Sequence, residues 1–309
     1  MALTVRNIRL GVQYFSFLAL MYGGRVGLHL GPALPCFACP FVPGCGGFCY
    51  LMGLQGYIGF GMGAVTLAGL GAALGWLAVF IGLVAAFGKL WCGWVCPFGL
   101  LQDWLTALRR RLGLRERAIP AGWRGRMAAV KYGLLGYLAL GPPLVTAGLL
   151  PSDFYLPFCG ICPGKSLLPL FAGETKYLAL NLDNAVTLGF SLALLAVTGG
   201  MLVGMFFKER FFCLVCPLLA LIHLFQPLTA LRLVKEPAAC TGCGNCRRAC
   251  PMDIEAVEKN DARVQIDECL NCAGCAEACP SNGALSLKFF NFKLFSSTRA
   301  YAAGLRRRP

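Results

Sequence analysis

The sequence predicts an all-α bundle of about four transmembrane helices joined to a small, cysteine-rich α+β domain. Of its 309 residues, 57% are hydrophobic and only 14% are charged. Runs of about 20 apolar residues, long enough to cross a bilayer, alternate with short basic segments. Eight of the 18 cysteines lie between residues 240 and 279. We therefore expect a membrane domain at residues 1–233, a cysteine-rich domain (the cassette) at 234–287 and a basic, aromatic tail at 288–309.

The cassette contains one motif twice, C-x2-C-x2-C-x3-C-P, beginning at Cys240 and again at Cys269. Three thiolates on a tight loop can hold three corners of a cubane iron–sulfur cluster, and the fourth cysteine of each run ligates the other cluster. Zinc is the alternative, but zinc ribbons do not use this interleaved triplet. The motif resembles two-cluster ferredoxins and predicts two [4Fe–4S] clusters, one on Cys240, Cys243, Cys246 and Cys279, the other on Cys269, Cys272, Cys275 and Cys250. Between the runs, Val257–Ile266 alternates as a small hairpin would.

Four apolar stretches predict the membrane spans. The second, Gly56–Leu90, is too long for one upright helix and could hold a re-entrant piece or two spans. The seven arginines between Leu108 and Met127 favour one crossing, because the positive-inside rule then places them and the amino terminus in the cytoplasm. The first run lacks a following cleavage site and is expected to be a retained anchor. The predicted spans are Leu10–Leu30, one crossing within Gly56–Leu90, Met127–Leu150 and Ala185–Phe207.

Three further segments are predicted around these spans. An amphipathic helix on the membrane surface is expected to place one set of side chains on a single face: Leu100, Leu101, Trp104, Leu105 and Leu108. An apolar helix is expected over Pro217–Leu233. The tail is expected to be disordered or to lie on anionic lipid as a helix. Gly71 and Gly75 are expected to allow close helix packing.

Ten cysteines lie outside the cassette. Four of them lie at the cytoplasmic ends of the second and fourth spans: Cys92, Cys96, Cys213 and Cys216. These four could ligate a third [4Fe–4S] cluster, remain free thiols or form redox-active pairs. Two Cys-x2-Cys-Pro boxes in the outer loops could hold a fourth cluster facing the periplasm, with Cys36, Cys39, Cys159 and Cys162. Cys45 and Cys49 would then form a pair. Alternatively, Cys36, Cys39, Cys45 and Cys49 form one site, or the outer cysteines form disulfides.

The spans, the Cys92-Gly-Trp-Val-Cys96-Pro-Phe-Gly box, the second box at Cys213 and the cassette resemble the NapH-type family of membrane polyferredoxins and the iron–sulfur half of NosR. The resemblance covers about residues 60–290. It implies electron transfer between the quinone pool and redox partners through iron–sulfur clusters. The second box here has two residues between its cysteines, where the family usually has three, so a role in nitrate reduction is not carried over.

Cysteine groups on opposite membrane faces would be separated by about 30 Å of hydrocarbon, too far for one tunnelling step. A quinone or a partner subunit would then have to carry electrons between them. Arg25 and His223 are the candidate quinone contacts, although snorkelling also explains Arg25, as it explains Lys89. Lys165 could offset the charge of a cluster or be a solvated loop residue. Haem is not expected, because the topology places His29 and His223 near opposite faces.

The sequence therefore predicts an all-α polytopic membrane bundle with a two-[4Fe–4S] ferredoxin-like domain that acts as an electron-transfer subunit of an oxidoreductase complex. We expect it in the bacterial inner membrane, with the cassette in the cytoplasm and with lipid, redox subunits and the quinone pool as partners. The formal charge of +14 fits membrane orientation, so no nucleic-acid partner is expected. Alternatives are a conduit from a cytoplasmic reductant to a periplasmic acceptor, or a metal or thiol maturation factor.

Overall fold

The computed structural model describes residues 4–30, 34–63, 67–117, 119–258, 269–300 and 302. Helices dominate these ranges: α1 Val5–Tyr22, α2 Tyr50–Gly63, α3 Leu67–Phe87, α4 Pro97–Arg111, α5 Ala121–Thr146, α6 Pro157–Ile161, α7 Pro163–Leu167, α8 Ala185–Phe207, α9 Pro217–Leu224, α10 Asn245–Arg248 and α11 Gly274–Ala278. A three-stranded antiparallel sheet has the order β1 Leu231–Lys235, β2 Leu285–Phe289 and β3 Phe292–Ser296. Most of the hairpin predicted at Val257–Ile266 lies outside the described residues.

Two helices of the described ranges are long and apolar enough to cross a membrane, Gly122–Thr146 within α5 and all of α8. The bounds of α8 match the predicted fourth span, and an Asn184–Thr187 capping box fixes its start. α5 begins before the predicted third span and ends earlier, with Pro142 and Pro143 in its final turns. Four membrane crossings remain a prediction.

The first two predicted spans differ from the helices observed. α1 covers Val5–Tyr22 rather than Leu10–Leu30, because a short 3₁₀ turn follows it and Gly27 then adopts a φ of 77°. The stretch predicted as one crossing contains two helices, α2 and α3. The packing role predicted for Gly71 and Gly75 is not seen among the described residues, because a Cβ at either position would meet none of their atoms within 4 Å.

The surface helix predicted near residue 100 is instead packed into the bundle as α4, against α1 and α8. Its buried side includes Gln102, Thr106 and Arg109 as well as Leu100, whereas Leu108 is exposed. Arg109 donates to the carbonyl of Phe207 (2.9 Å), where α8 leaves acceptors without intrahelical partners. Polar groups on a buried face were missed because hydrophobic periodicity carries no information about such partners.

The sheet crosses both predicted limits of the cassette. The apolar helix expected over Pro217–Leu233 ends at Leu224, and residues 231–235 form β1, whose alternate residues are buried. β2 spans the limit at 287/288 and continues through a tight turn into β3, Phe292–Ser296. This part of the predicted tail is therefore neither disordered nor helical, since backbone pairing with β2 holds it as a strand.

The cassette lies against one end of the helical bundle. At the start of α1, the backbone N–H of Arg6 donates to Glu277 (3.2 Å), and Val5 packs with Leu231 and Leu287. Arg124, near the start of α5, donates to the carbonyl of Asp253 (2.9 Å). The arginine-rich segment and the cassette thus occupy the same end of the bundle.

The loop that carries Cys159 and Cys162 folds back beside α8. The Ser166 hydroxyl lies 2.7 Å from that of Thr198, and both side chains are buried. Thr198 lies thirteen residues into α8, or ~20 Å along a helix of ~35 Å. The loop therefore reaches the middle of α8 rather than remaining at its outer end. At that depth irregular backbone is tolerated when it is buried in protein.

Candidate metal centres

Four cysteines of the cassette line one cavity, and we call them the first cassette site: Cys240, Cys243, Cys246 and Cys279. Gly242 and Gly244 in its loop have φ values of 67° and 69°, a region that favours glycine. Buried Lys235 also lines the cavity, and its ammonium group donates to the carbonyls of Val257 (3.2 Å) and Glu258 (2.9 Å). The site thus combines four thiols with a buried cation.

The second cassette site surrounds a neighbouring cavity with Cys250, Cys269, Cys272 and Cys275. Its loop repeats the left-handed backbone of the first without glycine, at Asn271 (φ 50°) and Ala273 (φ 57°). Burial and then the charge of Cys272 raise the pKa of Cys250 to about 12. Every pair among the four thiols is close enough for one thiolate to raise the pKa of another. The two cassette sites adjoin, since Cys246 also raises the pKa of Cys275.

A third cavity, inside the helical bundle, is lined by the bundle site: Cys92, Cys96, Cys213 and Cys216. A π-helical turn over Trp91–Val95 carries Cys92, and each cysteine pair ends just before the proline that starts α4 or α9. Burial raises the pKa of Cys213 to about 11, and mutual repulsion links all six pairs of the four thiols. The two boxes, far apart in sequence, thus meet around one cavity.

A buried polar network supports the bundle site. The Arg210 guanidinium donates to both carboxylate oxygens of Asp103 (3.0 and 2.6 Å) and to the carbonyl of Cys92 (3.2 Å). Gln13 from α1 donates to the same carboxylate (2.9 Å). Gln102 approaches the Cys213 sulfur (3.7 Å) through its Nε2 atom. These residues orient the thiols and place a positive charge next to them.

A fourth group, which we call the loop site, contains Cys39, Cys49, Cys159 and Cys162. All six pairs of these thiols interact electrostatically. Burial and then the charge of Cys159 raise the pKa of Cys49 to about 12. The predicted grouping placed Cys36 here and paired Cys49 with Cys45, but Cys36 lines the bundle cavity instead. Cys45 lies nearby, and its thiol donates to the carbonyl of Pro40 (3.9 Å).

The predicted separation of the cysteine groups across the membrane is wrong. The Phe37 ring, next to Cys36, lies 5.5 Å from Phe98 and 5.2 Å from Phe212 at the bundle site. The same ring lies 6.3 Å from Phe158, beside Cys159 of the loop site. The loop and bundle sites are therefore neighbours, because both outer boxes fold inward.

Lys89 connects the bundle site with the cassette. It is 1% exposed, so the predicted snorkelling is wrong. Its charge lowers the pKa of both Cys92 and Cys269 against the larger effect of burial. Its ammonium nitrogen lies 3.1 Å from Nδ1 of His223, which is also 2.8 Å from Gln226. His223 therefore lies at the junction between the bundle and second cassette sites.

Two other basic residues, Arg25 and Lys165, were predicted as possible contacts of a quinone or a cluster, and they lie in different surroundings. Arg25 is exposed, with its guanidinium 5.4 Å from the centre of the Tyr22 ring, and it does not line the described cysteine cavities. Lys165 lies 5.2 Å from the Phe41 ring centre, and its charge lowers the pKa of Cys159 against the effect of burial. Lys165 thus has the predicted charge-offsetting position beside the loop site.

The thiols fit clusters better than single ions. Across the described ranges, no group of three or more His, Cys, Asp or Glu side chains is arranged to hold one metal ion. A cubane is larger than an ion, and its four thiolates surround a cavity rather than meet at a point. The cavities of the bundle and cassette sites have this arrangement. All eighteen cysteines lie in the described ranges, and none of them forms a disulfide there.

Comparison with protein families gives two matches. A 4Fe-4S binding domain matches residues 68–115 and 190–234, which contain the bundle site. A 4Fe-4S dicluster domain matches residues 232–280, which contain both cassette sites. No solved structure shows significant similarity to the chain.

Three curated proteins illustrate the similarity. The chain is 29% identical to protein NirI of Paracoccus denitrificans over 63% of this chain and 25% of NirI. It is 30% identical to regulatory protein NosR of Pseudomonas aeruginosa, over 58% of this chain and 22% of NosR. For ferredoxin-type protein NapH of Haemophilus influenzae the identity is 28%, over 61% of this chain and 54% of NapH. The chain therefore spans about a quarter of NirI and NosR and about half of NapH.

These matches define an iron–sulfur protein of the ferredoxin type, with domains that bind [4Fe–4S] clusters. The chain is a distant homologue of ferredoxin-type protein NapH, regulatory protein NosR and protein NirI. Its eighteen cysteines are consistent with several [4Fe–4S] clusters.

Sequence reasoning missed several residues around these sites. The charged and amide groups at the bundle site come from three segments and form no motif: Gln13 in α1, Gln102 and Asp103 in α4, and Arg210 after α8. Their apolar surroundings were the only available signal, because a polar residue on a buried helix face needs a partner. The spacing of the cysteines gave no sign that Cys49, rather than Cys36, belongs to the loop site, because this depends on how the loop folds back.

Proposed function

We propose that the protein is a membrane-embedded electron-transfer subunit that connects the quinone pool, or a membrane partner, with a partner oxidoreductase. The contact between the bundle site and the second cassette site carries this proposal. Gly93 follows Cys92, and Leu270 follows Cys269; a Cβ on Gly93 would lie only 2.5 Å from the Leu270 carbonyl oxygen. The Trp94 indole N–H also donates to the carbonyl of Asn271 (3.2 Å). Bound [4Fe–4S] clusters would supply the one-electron redox change.

The protein's own residues hold the sites in a row and place buried cations beside them. Lys89 lies between the bundle and second cassette sites, Arg210 beside the bundle site and Lys235 beside the first cassette site. A positive charge next to a thiolate-ligated cluster favours the more negative, reduced form. These residues therefore act by positioning the thiols and by tuning reduction potential.

We place the protein in the bacterial inner membrane with the cassette in the cytoplasm. Arg109 and Arg124 belong to the arginine-rich segment, and Arg124 contacts the cassette directly. The positive-inside rule puts such a segment on the cytoplasmic side. The two apolar helices α5 and α8 and the homology with NapH support the membrane location.

Of the two candidate quinone contacts we favour His223. It lies beside Lys89 and therefore close to the bundle and second cassette sites, whereas Arg25 packs on Tyr22. An imidazole nitrogen also suits a group that accepts a proton from a quinol. The maturation alternative is less favoured, because thiol exchange needs access and most thiols outside the cassette are buried.

The proposal is tested with the full chain in detergent under anaerobic conditions. A short-chain menaquinol is added, and reduction of the cassette clusters is followed by low-temperature electron paramagnetic resonance (EPR). We expect reduction in the wild type and a large slowing in Cys213→Ser, which changes the bundle site alone. Dithionite should reduce the cassette clusters equally in both proteins.

Equal quinol-driven reduction in the two proteins would refute a path through the bundle site. If menaquinol reduces neither protein, the quinol donor is refuted. The path between the cassette and the bundle site is then tested by itself. Electrons supplied to the cassette clusters by photoreduction should reach the bundle cluster of the wild type.

A further inference from the structure

We propose that the loop site is a fourth [4Fe–4S] site, held by Cys39, Cys49, Cys159 and Cys162. The two matching family models, at residues 68–115 with 190–234 and at 232–280, do not include these cysteines. The site goes beyond the proposed function, which needs only the bundle and cassette sites. It also replaces Cys36 with Cys49 in the set predicted from the Cys-x2-Cys-Pro boxes.

The first support is the way two distant loops meet. Cys39 and Cys49 come from the segment before α2, whereas Cys159 and Cys162 belong to the segment of α6 and α7. Phe37 packs on Phe158, and a Cβ at Gly164 would lie 2.5 Å from the Phe37 ring. The close approach of the two segments therefore gathers four thiols from two loops, the same number that each cassette cluster needs.

The second support is the environment of the thiols. Cys39, Cys49 and Cys162 are each less than 9% exposed, and buried thiolates are costly unless they ligate a metal or pair with a charge. Lys165 offers a positive charge to Cys159. Fully buried Gln55 also faces Cys159, and its Oε1 has no hydrogen-bond partner among the described residues. A positive charge and an amide around four thiols match the surroundings of the bundle site.

Cys36 then has a different position from the ligands. It lines the bundle cavity as a fifth cysteine and also lies within electrostatic reach of Cys49. Since the bundle site already has four thiols, Cys36 lies between two complete sets. It is the natural control for the ligand assignment.

The test measures iron and acid-labile sulfide per chain in the anaerobically purified full-length protein. We expect ~16 iron atoms in the wild type, from four clusters, and ~12 in Cys49→Ser and in Cys159→Ser. The control variants Cys36→Ser and Cys45→Ser should retain ~16. The EPR signals of the cassette clusters should be unchanged in all five proteins, which shows that the variants are folded.

Two results would overturn the fourth site as assigned: ~12 iron atoms in the wild type, or loss of four from Cys36→Ser but none from Cys49→Ser. Should the ligand variants fail to accumulate, alkylation and mass spectrometry of the wild type decide. The four thiols should react only after a chelator removes iron, whereas disulfides among them would refute the site. None of these results depends on quinol-driven electron transfer, so failure of the fourth site and failure of the proposed function can be distinguished.

Discussion

At the residue scale, each cassette site has a buried lysine close to its cysteine ligands. Lys235 is 2% exposed and lines the cavity of the first cassette site. Its hydrogen bonds to two backbone carbonyls fix the ammonium group there. A cation fixed in a poorly solvated position acts on a nearby redox centre more strongly than a surface charge does.

We predict that Lys235→Met lowers the reduction potential of the first cassette cluster by roughly 40 mV, about 1 kcal/mol for one electron, because the reduced form loses a neighbouring positive charge. A redox titration followed by EPR measures it. Lys293→Met, on the exposed strand β3, is the control and should leave the potential unchanged. An unchanged or raised potential in Lys235→Met would show that the lysine does not tune this site.

The loops of the two cassette sites provide a second prediction at this scale. Ala273 holds a left-handed backbone in the second loop, where the first loop has Gly244. This conformation costs an alanine about 1 kcal/mol or more, so Ala273→Gly should slow iron loss to a chelator in denaturant. Ala276→Gly, within α11, should accelerate the loss, because glycine weakens a helix. Faster iron loss from Ala273→Gly than from the wild type would contradict this account.

At the element scale, the π-helical turn at Trp91–Val95 brings the bundle site to the cassette. We predict that Gly93→Ala separates the bundle and second cassette sites, because its Cβ would lie 2.5 Å from the Leu270 carbonyl oxygen. Iron content should stay unchanged while quinol-driven reduction of the cassette slows several-fold. The control is Gly82→Ala in α3, where a Cβ meets no atom of the described part of the chain within 4 Å. Equal reduction rates in the two variants would show that this contact does not limit electron transfer.

The packing of the Cys159 loop on α8 is a second feature at this scale. A Cβ at Gly160 would lie 2.8 Å from the Phe190 ring. Gly160→Ala should therefore destabilise the protein by about 1–3 kcal/mol through overpacking. Gly189→Ala, on α8 with no described atom within 4 Å of its Cβ, should be neutral or stabilising by up to about 1 kcal/mol. The denaturant midpoint of intrinsic fluorescence measures both, and equal midpoints would indicate that the loop does not pack on α8.

At the scale of the whole molecule, the sequence predicts what depends on local spacing. The cassette motif predicted the two sets of cysteines that the structure gathers around two cavities. A long apolar run between polar caps likewise predicted α8 with its observed bounds. In both cases the residues that decide the structure are neighbours along the chain.

Features that depend on long-range packing were not predictable in the same way. The inward fold of the outer boxes moves Cys36 to the bundle cavity and brings the loop site next to it. Burial of Lys89 depends on the cassette and His223 together. β3 forms because it pairs with the edge of β2, although the sequence of β3 is typical of a basic, aromatic tail. No pattern within any of these segments identifies its partner.

The central claim is that the bundle site holds a cluster in electronic contact with the cassette. EPR during an anaerobic redox titration of the wild type and Cys213→Ser tests it most directly. We predict at least three centres in the wild type, with magnetic broadening of the second cassette signal that disappears in Cys213→Ser while both cassette signals remain. A wild type containing only ~8 iron atoms, with a spectrum identical to that of the variant, would contradict the account.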